Sequence, residues 1–291
     1  MKKVAVLHHS IDVDGTFSGL LAKNYFEQAG CKVTTVGINY GYDFDEIMSK
    51  VEDGTDIIVM TDFTMEREDC LTLIGREYDI RIYDHHETSY KHIIDLYNDG
   101  LITGCLDLSR CGTKITWDEL FGQSNAEQPW YIDVINDHDL WTHELPNTKE
   151  IVLAAESYPM TIEGAEEAIS LSKESLIEKG RTLTSYQEQL LAAADNTAYE
   201  VIIDGVKCIC AHSLLALRSV QAARLHALYP DHDVVILMTQ RVDGFTTSVR
   251  GHKDKGVNIL PMLERAGGGG HKYAGGAKIQ SLEDFGTEVT Y

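Results

Sequence analysis

The side chains in this sequence with the most capacity for chemistry are carboxylates and imidazoles that follow short apolar runs. "RIYDHHETSY" (residues 81–90) ends an apolar segment on Asp84, His85 and His86, three residues that resist burial. "KKVAVL" runs into "HHSIDVDG", which supplies His8, His9, Asp12 and Asp14. "TDIIVM" leads to Asp62 in "TDFT", and "INDHDLW" adds Asp137 and Asp139. A loop start explains any one of these segments. It does not explain all of them, because clustered carboxylates repel one another unless cations lie between them. Oxygen ligands with a few imidazoles suit Mn²⁺ or Mg²⁺ better than a thiolate-bound zinc. Two such ions sharing a carboxylate would activate water and clamp a phosphoryl oxygen.

The elements that must carry these residues alternate in type. "KKVAVL", "KVTTVGI", "TDIIVM" and "DIRIY" read as strands, with helices over 15–29, 65–77, 112–121 and 129–139. Strands alternating with helices predict an α/β fold with a doubly wound parallel sheet. Ligands in such sheets bind at the carboxyl ends of strands, where three of the polar segments begin. Residues 160–197 are polar and nearly free of Pro and Gly, which predicts connecting helices. Beyond them "YEVIID", "VKCICAH", "DVVILMTQ", "GFTTSVRG" and 277–280 read as strands, with helices over 214–228 and near 257–265. The expected division is a catalytic domain over 1–158, a helical linker over 159–197 and a smaller α/β domain over 198–291.

Composition narrows the function further. A content of 43% apolar and 24% charged residues describes a globular protein with a core. No run of about 18 apolar residues predicts a membrane span, and the four apolar residues after "MKK" are too few for a signal peptide. With six cysteines in no disulfide or zinc-ribbon spacing, the expected location is cytoplasmic. The net charge of −21 is uneven. Residues 1–150 carry 12 Lys+Arg against 28 Asp+Glu, whereas 241–280 carry 7 against 3. Duplex DNA is gripped through a broad basic surface, so this distribution argues against a duplex partner and for a small anion.

The ordered set "HHSIDVDG", "TDFT", "YDHHE", "INDHDLW", "SVRG" and "GGGGHKYAGGAKI" resembles the DHH phosphoesterase superfamily. It is most similar to the subgroup that ends in a Gly-Gly-Gly-His nucleotide-binding domain, with the RecJ-type exonucleases and nano-RNases. The resemblance implies two domains facing a cleft and two Mn²⁺ ions, with Mg²⁺ as the alternative. It implies that His8, Asp12 and Asp62 hold one ion, and that Asp14, Asp62, His85 and Asp137 hold the other. His86 would sit beside the phosphate, with Asp84 orienting the histidines. Arg250, Gly269, Gly270 and His271 would hold the substrate.

Two of these positions have a neighbour of the same type. The four-residue step to Asp12 favours His8 over His9, and the end of the apolar "WYIDVIN" helix favours Asp137 over Asp139. Both pairs stay open from sequence alone. Four consecutive glycines, Gly267 to Gly270, are usually a flexible linker. Here they lie between a helix and a strand, and glycines let backbone N–H groups approach a phosphate. Arg110 is a further candidate phosphate contact, with an ordinary surface role equally open. Trp117, Trp130 and Trp141 read as core packing, and His212 as a strand end.

The function implied is a Mn²⁺-dependent phosphodiesterase that degrades short single-stranded oligonucleotides to nucleoside monophosphates. Alternatives are a cyclic- or linear-dinucleotide phosphodiesterase, a phosphatase of 3′-phosphoadenosine 5′-phosphate, and a nucleotide-binding regulator without chemistry. No membrane partner is expected, and the sequence allows a homodimer.

Overall fold

A computed structural model describes all 291 residues, apart from the side chains of Thr88 and Tyr90. The chain divides into two compact units, 1–184 and 185–291. In the first, β1 (Lys3–His9), α1 (Val13–Gln28), β2 (Lys32–Ile38), α2 (Phe44–Lys50), β3 (Ile57–Thr61), α3 (Arg67–Gly75), β4 (Asp79–Asp84), α4 (Glu87–Asn98) and β5 (Thr103–Leu106) alternate along the chain. The five strands form one parallel sheet in the order β2-β1-β3-β4-β5. The predicted doubly wound sheet is therefore present, with β5, α2 and α4 added to the elements read from sequence.

Strand parity decides what each face of this sheet does. Ala5, Leu7, Ile58, Met60, Ile80 and Ile82 pack on one side with Ile47, Leu73 and Ile93 from α2, α3 and α4. Val4, Val6, Ile57 and Val59 pack on the other with Ala22 and Phe26 of α1. All five residues of β3 are buried, as a strand covered on both faces requires. The order of strands reverses between β1 and β3, the position where open parallel sheets bind ligands.

Helices α5 (Gly112–Leu120), α6 (Trp130–Asp139), α7 (Thr148–Glu156) and α8 (Ile162–Ser170) complete the unit, followed by α9 (Lys173–Asp195). The segment expected as a linker is divided. Ile162, Ala165 and Ala168 of α8 share a core with Val13, Phe17 and Leu20 of α1, so residues 159–184 belong with the first unit. No helix among the described residues is long and apolar enough to cross a membrane.

The second unit holds β6 (Tyr199–Ile203), β7 (Val206–His212), α10 (Arg218–Leu228), β8 (Val234–Arg241), β9 (Gly244–Gly251), α11 (Leu260–Arg265), β10 (Gly269–His271), β11 (Ala274–Gly276), β12 (Lys278–Ile279) and β13 (Val289–Thr290). These strands make one mixed sheet in which β7 and β8 are parallel. Ala222 and Leu225 of α10 cover one face, and Leu263 of α11 covers the other. The glycine run is not a linker: Gly269–His271 pairs antiparallel with Ala274–Gly276, and β11 pairs in turn with β9.

Gly180 in α9 tests the packing of that helix on the first unit. A Cβ there would run into the backbone carbonyl of Glu150 in α7. Helix propensity alone favours Gly→Ala by up to ~1 kcal/mol, whereas forcing backbones apart costs about 1–3 kcal/mol. Gly180→Ala should therefore lower the urea midpoint. A raised midpoint would mean that this end of α9 does not rest on α7.

Candidate metal centre

The carboxyl ends of β1, β3 and β4 bring His9, Asp62, Asp84, His85 and His86 together, and the starts of α1 and the end of α6 add Asp12, Asp14 and Asp139. Three groups have ligand atoms within 4.8 Å of one another: His9, Asp12 and Asp62; Asp62, His85 and His86; and Asp14, His85 and Asp139. Asp62 joins the first two. Its Oδ2 lies 3.4 Å from His9 Nδ1 and its Oδ1 lies 3.2 Å from His85 Nε2. His85 Nε2 also lies 3.5 Å from Asp139 Oδ2 and 3.8 Å from Asp14 Oδ2.

Each carboxylate is placed by backbone. Asp12 caps α1, accepting from the Gly15 N–H at 3.0 Å. Asp14 is 3% exposed, and its two oxygens accept from the Gly112 and Thr113 N–H groups at 2.7 Å, at the positive end of α5. Asp62 follows β3 in a left-handed conformation (φ 52°), one that aspartate tolerates better than most residues. Gly112 packs against it so closely that a Cβ would lie 2.5 Å from Asp62 Cβ. Asp84 is fully buried; its Oδ1 accepts from the His85 and His86 N–H groups and from His86 Nδ1 at 2.8 Å, while Thr64 donates to Oδ2. Tyr40 lies edge-on to His9 and His86.

Charge is the cost of this arrangement. Burial, then Asp14, Asp12, Asp84 and Asp139, push the Asp62 carboxyl well above the usual carboxylate range. Burial and the charges of Asp14 and Asp12 push Asp139 up to about 8. His9 and His85 are pushed down by burial, which favours the neutral imidazole that metals require. Asp84 goes the other way: burial would raise it, but hydrogen bonds from His86 and Thr64 bring it down to about 2. Asp62 Oδ1 and His9 Nδ1 are buried and have no hydrogen-bond partner among the described residues. Buried atoms of this kind are costly unless a partner is supplied. The donor set of carboxylate oxygens and imidazole nitrogens fits a pair of hard divalent cations.

Four sequence expectations change. His8 is not in the cluster. Even-numbered residues of β1 face α1, and His8 lies against Gly19 of that helix, with Nδ1 3.1 Å from the His9 carbonyl. The same parity turns His9 toward Asp62. Asp137 is also elsewhere, since two residues on a helix point about 200° apart and Asp139 takes the site. Asp137 instead accepts from Thr142 and Thr148 hydroxyls and from the Glu144 and Leu145 N–H groups. Burial would raise its carboxyl, and these bonds hold it down to about 2. Arg110 is engaged by Asp107 and Asp118, each at 2.7 Å, with Glu119 at 3.8 Å, rather than offered to a phosphate. Trp117 is core, stacked on Phe121, but Trp141 is 50% exposed beside the site.

Arg250, Gly269, Gly270 and His271 lie together in the second unit. Arg250 on β9 is opposite Ala274, and its Nη1 donates to the Val249 carbonyl at 3.0 Å and approaches the Gly275 carbonyl at 3.4 Å. Burial and nearby Arg218 push its guanidinium down. Gly270 has φ 144°, and a Cβ there would meet Gly275 and Ala274.

No family model matches the chain. An uncharacterised protein, R106 of Acanthamoeba polyphaga mimivirus, is 26% identical over 156 residues, covering 50% of this chain and 35% of that protein. The match thus spans about a third of the relative's length. Among solved structures, a manganese-bound exonuclease RecJ superposes with a TM-score of 0.58 at 13% identity, covering 97% of this chain and 87% of that one. A pGpG-specific phosphodiesterase from Vibrio cholerae gives 0.54 at 12%, covering 97% and 95%. RecJ with Mn²⁺ from Thermus thermophilus gives 0.57 at 15%, covering 98% and 50%. The chain has the fold of these proteins.

Asp137 and Asp139 separate by opposite effects of one substitution. An acid raised to about 8 from 3.8 keeps its proton in the folded form after the unfolded chain has lost it. Ion-free stability therefore falls as pH rises through that window, and Asp139→Asn should remove the penalty. That variant should melt higher than the parent without metal and bind Mn²⁺ more weakly. Asp137→Asn should melt lower, by about 1–3 kcal/mol of stability, and keep its metal affinity. Calorimetry and thermal melts in chelator check both, and the reverse pattern would return Asp137 to the site.

Proposed function

We propose that the chain is a divalent-metal phosphodiesterase that hydrolyses short single-stranded oligonucleotides to nucleoside monophosphates, with Mn²⁺ as its metal and Mg²⁺ as the alternative. The observation that carries this reading is Asp62, whose two oxygens face two different histidines in adjoining carboxylate–imidazole groups. His9, Asp12 and Asp62 would hold one ion, and Asp14, His85 and Asp139, with Asp62 shared, the other. Ions there would supply Lewis acidity to a phosphoryl oxygen and make water nucleophilic at neutral pH. A regulator without chemistry would not need such a concentration of buried, mutually repelling carboxylates.

The chain's own groups would do the rest. Asp84 holds His86 through Nδ1, leaving Nε2 as the ring atom available to a phosphate or a departing oxygen. Although burial lowers the His86 pKa, the hydrogen bond and charge of Asp84 raise it on balance, which suits a donor of hydrogen bonds to anionic oxygen. In the second unit Arg250 forms no ion pair among the described residues and keeps its planar fork for a terminal phosphate. The glycine pairing of β10 with β11 keeps backbone N–H groups free of side-chain cover there. A linear dinucleotide is the second reading, favoured by the likeness to the pGpG-specific phosphodiesterase.

Substrate length tests the reading. The acidic first half repels long polyanions, so efficiency in Mn²⁺ should peak on dimers to pentamers, with shallow salt dependence. A product time course on end-labelled strands of graded length would show this. Equal, processive digestion of long strands would contradict it.

A further inference from the structure

Beside the carboxylate cluster, the first unit has a cavity of about 220 Å³ lined by Asp12, Asp14, Asp139, His138, Trp141 and Glu156, among others. It lies below the ~300 Å³ at which drug-sized pockets begin, a size suited to one ring system. Trp141 is 50% exposed, while Trp117 is buried. An exposed tryptophan next to metal-type carboxylates has no core-packing role to explain it.

The way Trp141 is held sharpens the point. It follows the end of α6 at φ 60°, a left-handed conformation that is a true outlier for a bulky side chain. His143 and Asn147 in the same turn are also left-handed, at 50° and 62°. Such backbone persists only where the surroundings over-determine it. Asp137 does so here, fixing Thr142, Glu144, Leu145 and Thr148 through its two oxygens. The His143 ring lies edge-on to the indole at 4.7 Å and His138 lies at 5.8 Å, bracing it from within the turn. His138 also lines the cavity and has a buried Nδ1 without a hydrogen-bond partner among the described residues.

We infer that Trp141 is a stacking platform for the nucleobase attached to the phosphate at the carboxylate cluster, with His138 beside the edge of that base. This assignment rests on the phosphodiesterase reading and adds what the substrate must carry: a planar heterocycle, not merely a phosphate. Stacking tolerates any base because every base has a π face. Trp141 therefore selects nucleotides over sugar phosphates without reading sequence. The role of Asp137 is then to position Trp141 rather than to hold metal.

The test is binding, so it does not depend on turnover. AMP and ribose 5-phosphate differ by the base alone, and each is titrated calorimetrically into the Mn²⁺-loaded parent, Trp141→Ala and Trp141→Phe. The expected result is that Trp141→Ala weakens AMP on the order of fivefold to a hundredfold and leaves ribose 5-phosphate unchanged. Trp141→Phe should retain most of the AMP affinity, and AMP should quench indole fluorescence in the parent but less in either variant. Unchanged ribose 5-phosphate affinity also shows that the variants keep their fold. A Trp141-dependent preference for AMP in a chain that hydrolyses no phosphodiester would support the platform while removing the reaction. AMP affinity unaffected by Trp141→Ala, or AMP and ribose 5-phosphate weakened equally, would overturn it.

Discussion

The structure is organised around the repulsion among Asp12, Asp14, Asp62 and Asp139. Loss of solvent at Asp62 and Asp139, with the charges of the neighbouring carboxylates, raises both above the ordinary carboxylate range, so the ion-free fold carries a penalty that protons or cations relieve. Every nearby element answers that constraint. The α5 N-terminus gives Asp14 two backbone donors, α1 caps itself with Asp12, and Gly112 lets α5 approach the strained Asp62. Asp84 is the counterexample that clarifies the rest. Its oxygens accept from His86, Thr64 and the His85 and His86 N–H groups, and those bonds keep it ionised.

Much of this was legible in the sequence because the sheet is built from uninterrupted apolar strands and the candidate ligands sit directly after them. "IIVM" before Asp62 and "RIY" before Asp84 announce both the strand and the turn where it stops. Strand parity was also available: Val4 and Val6 on one face put His8 with them and His9 with Leu7. Motif spacing pointed to His8 instead, whereas the pleat sets His9 beside Asp62. Helix geometry sorts Asp137 from Asp139 only once the direction of the sheet from α6 is known, and that is tertiary information.

Other residues had no local signal. Arg110 is drawn into ion pairs by Asp107 three residues before it and Asp118 eight residues after it, and only the turn into α5 brings all three together. The glycine run resembles a linker in composition, yet its end is a paired edge strand because β11, itself held by β9, offers it a partner. Trp141 looked like core because an apolar helix precedes it. It sits instead at φ 60° in the turn after that helix, with His143 and Asn147 also left-handed, and a positive φ is not foreseen for a tryptophan.

The central claim is that one buried carboxylate, Asp62, serves two adjacent cations. Loading the protein with Mn²⁺ and recording electron paramagnetic resonance tests it most directly. Two Mn²⁺ per chain and a spectrum of an exchange-coupled pair are expected, because a shared carboxylate would link the ions. One Mn²⁺ per chain, or two with the separate six-line spectra of isolated ions, would contradict it.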